Sequence, residues 1–194
     1  MWCPMENACC LLACIAATGI AVLADATGTV GDALLRALAD SSAHASVAGI
    51  GWGAATWPAQ SQSNYIGEVF LSAILASLVD LDHFIAAGSI DLKAATSLPA
   101  RPFAHSVTFI LSSAVVAVIA LGPRRGLLLM HAWLSHNLRD SHRRGFWLVG
   151  IGSTPAVPYA LYIVLSIVFP LCVRSLVGLL RRREASHSAL LLPK

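Results

Sequence analysis

Long uncharged stretches alternate along the chain with short polar ones, and their lengths define the elements. The first apolar run covers residues 7–24 and is preceded by one charged side chain, Glu6. Its end, Leu23-Ala24-Asp25-Ala26, has the small residues of a signal cleavage site. A signal peptide also carries a positive leading region, and here there is none, so the pattern predicts a retained first helix. Residues 41–67 are uncharged apart from His44. Their apolar part predicts one span, followed by a turn-prone polar loop from Trp57-Pro58 to Asn64.

A third helix is expected over 65–79, meeting Asp80-Leu81-Asp82-His83 at its end. Its rise of about 22 Å falls short of a hydrocarbon core of about 30 Å. Either the acidic cluster lies inside the membrane profile or the helix continues through it. A loop with Asp91, Lys93, Pro99, Arg101 and Pro102 leads to a helix over 103–121, which Gly122-Pro123-Arg124-Arg125 closes. A fifth segment starts at Gly126 and carries His131, His136, Arg139 and Asp140 before Arg143-Arg144-Gly145. The last apolar stretch, 158–180, holds Pro170 and Arg174 and ends at Arg181, Arg182 and Arg183. The expected fold class is all-α: a multi-pass integral membrane helix bundle of about five transmembrane helices. Residues 1–180 read as a single transmembrane domain and 181–194 as a basic, disordered tail.

Composition sharpens this picture. Of 194 residues, 57% are hydrophobic and 12% charged, against about 25% charged in an ordinary soluble domain. A water-soluble globule and a disordered chain are both excluded, and the lipid bilayer is the expected partner. The net charge of +3 sits in short arginine clusters without interleaved aromatics, which argues against a nucleic-acid partner. Arg124 and Arg125 share a face with Arg181 to Arg183, two helices apart, which the positive-inside rule makes cytoplasmic; Arg143 and Arg144 fall on the opposite face. Cys3, Cys9, Cys10 and Cys14 crowd the first helix and form no disulfide framework. They read as small buried hydrophobes, with palmitoylation at a membrane edge as the alternative.

The chemistry lies in the polar residues that interrupt the apolar runs, because ionisable groups at membrane depth are costly and mark functional sites. His136 and Asp140 are four apart, one helical turn, and can grip one ion; Asp40 and His44 repeat the arrangement in reverse. Each pair also has a structural reading: Asp40 as an N-cap, and Asp140 as a partner for Arg143 or Arg144. Asp80-Leu81-Asp82-His83 resists such a reading. Two carboxylates two apart diverge by about 200° on a straight helix, so convergence demands a bend or a helix end. The macrodipole is negative at a helix C-terminus, and a bound cation removes that penalty. His105 on its own is a helix-end polar group. His131 is about 140° round the helix from His136, and His142 and His187 lie in polar surroundings; these three fall outside the site.

The stretch from Gly67-Glu68 through Leu75-Ala76-Ser77-Leu78-Val79-Asp80-Leu81-Asp82-His83-Phe84 to Leu98-Pro99-Ala100-Arg101-Pro102-Phe103-Ala104-His105-Ser106 resembles the transmembrane protein 267 family. Leu35-Arg36-Ala37-Leu38-Ala39-Asp40 with His44, Ser135-His136-Asn137-Leu138-Arg139-Asp140, Gly145-Phe146-Trp147 and Pro158-Tyr159-Ala160-Leu161-Tyr162 fit it as well. The resemblance implies a multi-pass membrane protein. More distantly, the order Asp-x-Asp-His, His-Ser at a helix start, and Ser-His-x-x-x-Asp is similar to bacterial inner-membrane proteins described as membrane-bound metal-dependent hydrolases, relatives of zinc-dependent phospholipase C. That likeness nominates His44, Asp80, Asp82, His83, His105, His136 and Asp140 as metal ligands. The bacterial pattern has Pro where this chain has Val79, and His-Arg-Gly where it has Ala100-Arg101-Pro102; Ala100 cannot bind a metal.

Mixed imidazole and carboxylate ligands suit zinc best, with manganese or iron as alternatives. Two functions are then open. In one, a metal-activated water attacks a phospholipid or another membrane phosphoester, with Arg101, Arg139 or Arg143 holding phosphate. In the other, the same residues form a structural metal site or a buried polar network. An open coordination position distinguishes the first from the second. The ionisable residues cluster instead of lining a path, which argues against a channel or transporter.

Overall fold

A computed structural model describes residues 4–27, 31–58 and 62–190 of the chain. Among these residues the helices are α1 (Pro4–Thr27), α2 (Ala33–Thr56), α3 (Gln62–Leu78), α4 (Leu81–Ala87), α5 (Leu92–Thr96), α6 (Val107–Leu121), α7 (Pro123–Arg144) and α8 (Tyr159–Leu190). A 3₁₀ turn, Phe103–His105, precedes α6, and a two-stranded hairpin, β1 (Trp147–Leu148) with β2 (Gly152–Ser153), joins α7 to α8. The all-α reading holds.

Among the described residues, three stretches are long and apolar enough to cross a membrane: Met5–Thr27, Asn64–Ala87 and Tyr159–Ser186, with Val107–Leu121 shorter. The third expected helix therefore continues through its acidic cluster. It does so with one tightened turn, in which the Asp82 and His83 amides bond the Val79 and Asp80 carbonyls at 3.2 Å each.

The polarity of the helices dictates their places. α2 and α7 carry most of the buried polar groups and are the two most enclosed helices. Large apolar side chains of α1, α3, α6 and α8, such as Leu12, Phe70, Ile119 and Val164, face outward. This distribution suits lipid outside and polar chemistry within. Three bonds set the α2/α3 register: Ser77 Oγ to the Ser41 carbonyl (3.1 Å), Ser72 Oγ to the Ala48 carbonyl (3.0 Å) and Trp52 Nε1 to Glu68 Oε2 (3.1 Å). Trp52, Ala55, Leu127, Leu128, Val173 and Val177 form the apolar core where α2, α7 and α8 meet.

At one end of the bundle, α2 terminates against two cations. Arg174 donates to the carbonyls of Ala54 (3.0 Å) and Trp57 (2.6 Å), and Arg181 to those of Thr56 (2.7 Å) and Pro58 (3.0 Å). These bonds satisfy carbonyls that a helix end leaves open. The basic triplet prolongs α8 to Leu190, where a disordered tail was expected from residue 181; arginine and alanine are good helix formers. Cys10 and Cys14 are buried and Cys9 is exposed, while Cys3 lies outside the described residues.

Two starts differ from expectation. α2 begins at Ala33 rather than near 41, because Asp32 accepts the Leu35 amide (2.8 Å) and caps it. Asp40 is thus an interior helical residue and not an N-cap. α6 begins at Val107, capped by Ser106, so His105 sits in the turn before the helix.

Gly126 is where α7 passes closest to α6: a Cβ there would lie 2.3 Å from Val118 Cγ2 and 2.8 Å from the Val118 nitrogen. Gly67 on α3 has nothing within 4 Å of the same position. Gly126→Ala should therefore destabilise the bundle by about 1–3 kcal/mol through overpacking. Gly67→Ala should be neutral or stabilising by up to about 1 kcal/mol. Thermal unfolding of the two variants in detergent measures the difference.

Candidate metal centre

Four helices and one turn bring their polar residues together at the end of the bundle opposite Arg174 and Arg181. The tightened turn at Asp80 ends α3 there, His105 enters from the 3₁₀ turn, and His136 and Asp140 project from the last turns of α7. Asp40 and His44 face them from the first half of α2, and Asp25 from the end of α1.

His136 is fully buried. Its Nδ1 lies 2.9 Å from the Ala76 carbonyl. That carbonyl can only accept, so the ring donates there and leaves the Nε2 lone pair facing the cluster. His105 is held in the same manner, with Nδ1 3.2 Å from Asp82 Oδ2, an oxygen that also accepts the Ala104 amide at 2.8 Å. A carboxylate or carbonyl behind an imidazole is the usual means of orienting a metal-binding histidine. His105 lies in the turn, outside the spans. Burial opposes its charged form, but the bonds from Asp80 and Asp82 outweigh burial and raise its pKa to about 9.

The two Nε2 atoms meet: His105 Nε2, protonated while no ion is bound, donates to the His136 Nε2 lone pair at 3.2 Å. Asp80 Oδ1 lies 3.5 Å from the first and 3.6 Å from the second, and Asp140 Oδ2 lies 3.7 Å from each. Ligand atoms around a tetrahedral zinc with bonds of about 2.0–2.1 Å stand about 3.3–3.4 Å apart. The spacing is thus that of a zinc site before contraction.

All seven residues singled out in the sequence fall in this cluster, in different positions. Asp80, His105 and His136 form one group of mutually close ligand atoms, and His44, His136 and Asp140 a second. Asp82 stands behind His105. His83 stacks parallel on the same ring with centroids 4.7 Å apart, and its Nε2 and the second oxygen of Asp82 are buried without partners. His44 stacks on His136 at 3.7 Å, its Nε2 3.6 Å from both Asp40 Oδ2 and Asp140 Oδ1. His131 lies apart, with Nδ1 3.4 Å from Ser72 Oγ and its ring stacked on Phe169. The described side chains do not include that of His187.

Arg139, read in the sequence as a holder of phosphate, is 2% exposed and committed to protein groups. It bonds Asp40 Oδ1, reaches Asp25 Oδ1 at 2.8 Å, and places Nη1 3.1 Å from His44 Nε2. This network escaped sequence reasoning because Asp25 lies 114 residues from Arg139; the one local signal was an arginine inside the His136-to-Asp140 motif. Arg143 pairs with Asp140 at 2.5 Å, as its spacing suggested. Asp25, Asp40, Asp80, Asp82 and Asp140 together exceed the charge of these two arginines. Among the described residues, no arginine or lysine lies in ion-pair range of Asp80 or Asp82.

One side of the cluster opens. A cavity of about 550 Å³ is lined by Asp40, Asp80 and Asp140 at its base, by Arg101, Arg143 and Arg144, and by apolar side chains including Leu38, Leu81 and Phe84. Arg101 is tied to the Gly145 carbonyl at 3.0 Å. Gly145 has φ +69° and no room for a Cβ, which would fall 2.1 Å from the Thr154 carbonyl oxygen. Ala100 lines the same cavity.

Transmembrane protein 267 of Bos taurus is 34% identical to the chain over 147 residues, covering 72% of it and 67% of the relative. The protein of that name from Xenopus laevis is 38% identical over 148 residues, covering 70% and 66%. That from Danio rerio is 34% identical over 144 residues, covering 70% and 64%. The chain spans about two thirds of the length of these relatives. No family model matches it, and no solved structure matches it. With the apolar helices described above, these similarities make the chain an integral membrane protein.

Asp82 offers a test of how the centre is built. Asp82→Ala strands the Ala104 amide and the His105 Nδ1 proton in a buried place and should cost about 1–3 kcal/mol. Asp82→Asn, which retains an acceptor, should cost less. Thermal unfolding of both variants in detergent gives the order.

Proposed function

The chain belongs to the transmembrane protein 267 family, and from that premise we propose that it is a metal-dependent phosphoester hydrolase of the membrane, with one divalent ion held by Asp80, His105 and His136. One observation carries this reading: three ligand atoms 3.2–3.6 Å apart, two of them on histidines oriented from behind, with the third, on Asp80, lining an open cavity. Two nitrogen donors and one carboxylate oxygen suit zinc. The surplus of carboxylates around Asp80 and Asp82 gives a divalent cation a favourable place, since buried charges are paired or coordinate metals.

A divalent ion bound there supplies an activated water at neutral pH and stabilises charge on a phosphoester oxygen. The protein groups provide the rest. Asp82 and the Ala76 carbonyl hold the two imidazoles in register. Arg101, Arg143 and Arg144 line the cavity and suit the phosphate oxygens, for which guanidinium is the better-matched cation. Leu38, Leu81 and Phe84 match the apolar part of a lipid. The order of acidic and histidine motifs, similar to that of the bacterial membrane-bound hydrolases, supports the same reaction class, and Ala100 in place of their histidine agrees with fewer ions. A structural zinc site is closed by four protein ligands; a set of three beside a cavity that Asp80 lines leaves a fourth position for water and favours catalysis.

Protein purified in detergent should carry about one equivalent of zinc by plasma mass spectrometry, lost in Asp80→Ala and His136→Ala. The wild type should hydrolyse a soluble phosphodiester or a phospholipid in mixed micelles, and both variants should fall to the blank. A folded wild type without metal overturns the proposal. A bound ion with no hydrolysis of either substrate assigns the ion a structural role.

A further inference from the structure

Beside the first set lies a second group of mutually close ligand-type atoms, on His44, His136 and Asp140. His44 Nε2 stands 3.6 Å from Asp40 Oδ2 and 3.6 Å from Asp140 Oδ1, and Asp140 turns its other oxygen to the first set. A shared carboxylate between two such sets is the layout of a two-ion centre. The second set, however, already faces a cation. Arg139 Nη1 bonds Asp40 Oδ1 and lies 3.1 Å from His44 Nε2, while Nη2 bonds Asp25 Oδ1 at 2.8 Å. Arg143 adds Nη2 to Asp140 Oδ1 at 2.5 Å and to Asp40 Oδ1 at 3.4 Å.

The two halves of the cluster therefore differ in charge. Around Asp80 and Asp82, histidines are the sole cationic candidates within ion-pair range among the described residues. Around Asp40 and His44, two guanidinium groups meet the carboxylates, and one of them occupies the His44 lone pair. Arg139 is buried and permanently charged. A divalent ion at His44 would sit against it with like charge in a place poor in water, where such repulsion is strong.

We propose that the Arg139 guanidinium is a built-in cation at the second ion position, so that the centre takes one divalent ion and His44 is not a ligand. This rests on the metal reading above for the first position alone. Arg139 acts here as a positioning residue that holds Asp40 and His44, while Arg143 takes one oxygen of Asp140 and leaves the other turned to the first set.

The test is metal stoichiometry after zinc loading, followed by dialysis and plasma mass spectrometry, with size-exclusion profiles in detergent as the measure of folding. Wild type should hold one ion, Arg139→Ala two, and Arg139→Ala/His44→Ala one. His44→Ala alone should keep the wild-type count, and this variant decides the matter if Arg139→Ala fails to fold. Two ions in the wild type, no gain in folded Arg139→Ala, or loss of the ion in His44→Ala each overturn the proposal. A wild type with no ion and an Arg139→Ala with one would keep Arg139 as the cation of the second position while overturning the one-ion count and the hydrolase reading. No ion in either would remove both.

Discussion

Carboxylates enclosed by hydrocarbon and backbone must be met by positive charge, and this requirement organises the whole molecule. Five aspartates meet at one end of the bundle, and the chain spends α2 and α7, long helices that are not apolar enough to cross a membrane, on enclosing them. The outward faces of α1, α3, α6 and α8 keep lipid away. Where arginine reaches the aspartates, at Asp25, Asp40 and Asp140, the charge is met from within the chain. At Asp80 and Asp82 it is met by imidazoles that are themselves braced from behind. That unevenness distinguishes a centre suited to a cation from a purely structural ion-pair network.

Much of this was legible in the amino-acid order, and the rest was hidden for definite reasons. Apolar run lengths located α1, α3 and α6 because lipid contact demands unbroken hydrophobicity. The Asp80-Leu81-Asp82-His83 cluster announced a bend, since two carboxylates at that spacing cannot share a face of a straight helix, and the tightened turn at Asp80 is that bend. The start of α2 was obscured because Arg36 and Asp40 interrupt its apolar positions, and the true cap, Asp32, lies a turn of helix before the first of them. His105 looked like a helix-end polar group because its partners come from α3, α4 and α7. The Asp25–Arg139–Asp40 network joins three helices and leaves no periodic mark.

The opposite end of the bundle shows the same constraint in another form. α2 stops beside Trp57, where its last carbonyls would face a setting poor in water. Arg174 and Arg181 of α8 donate to two of these carbonyls, those of Ala54 and Thr56, and to those of Trp57 and Pro58 just beyond, while Arg124 pairs with Glu68 at 2.7 Å and Glu68 in turn accepts the Trp52 indole. Polar satisfaction at that end keeps α2 fixed lengthwise, and the Ser72 and Ser77 hydroxyls carry the register along α3. His44 and Asp40 are thereby held at a set height relative to Asp80 at the other end.

The three-helix rivet made by Arg139 also has a consequence for biogenesis. Its partners Asp25 and Asp40 precede it by 114 and 99 residues. During synthesis the hairpin of α1 and α2 therefore emerges with two acidic groups whose counter-charge has not yet been translated. Until α7 arrives, that hairpin has a reason to stay near the water boundary or beside the insertion machinery, and final docking of the N-terminal helices waits on a segment made late. The order of translation and the order of packing are thus opposed in this chain.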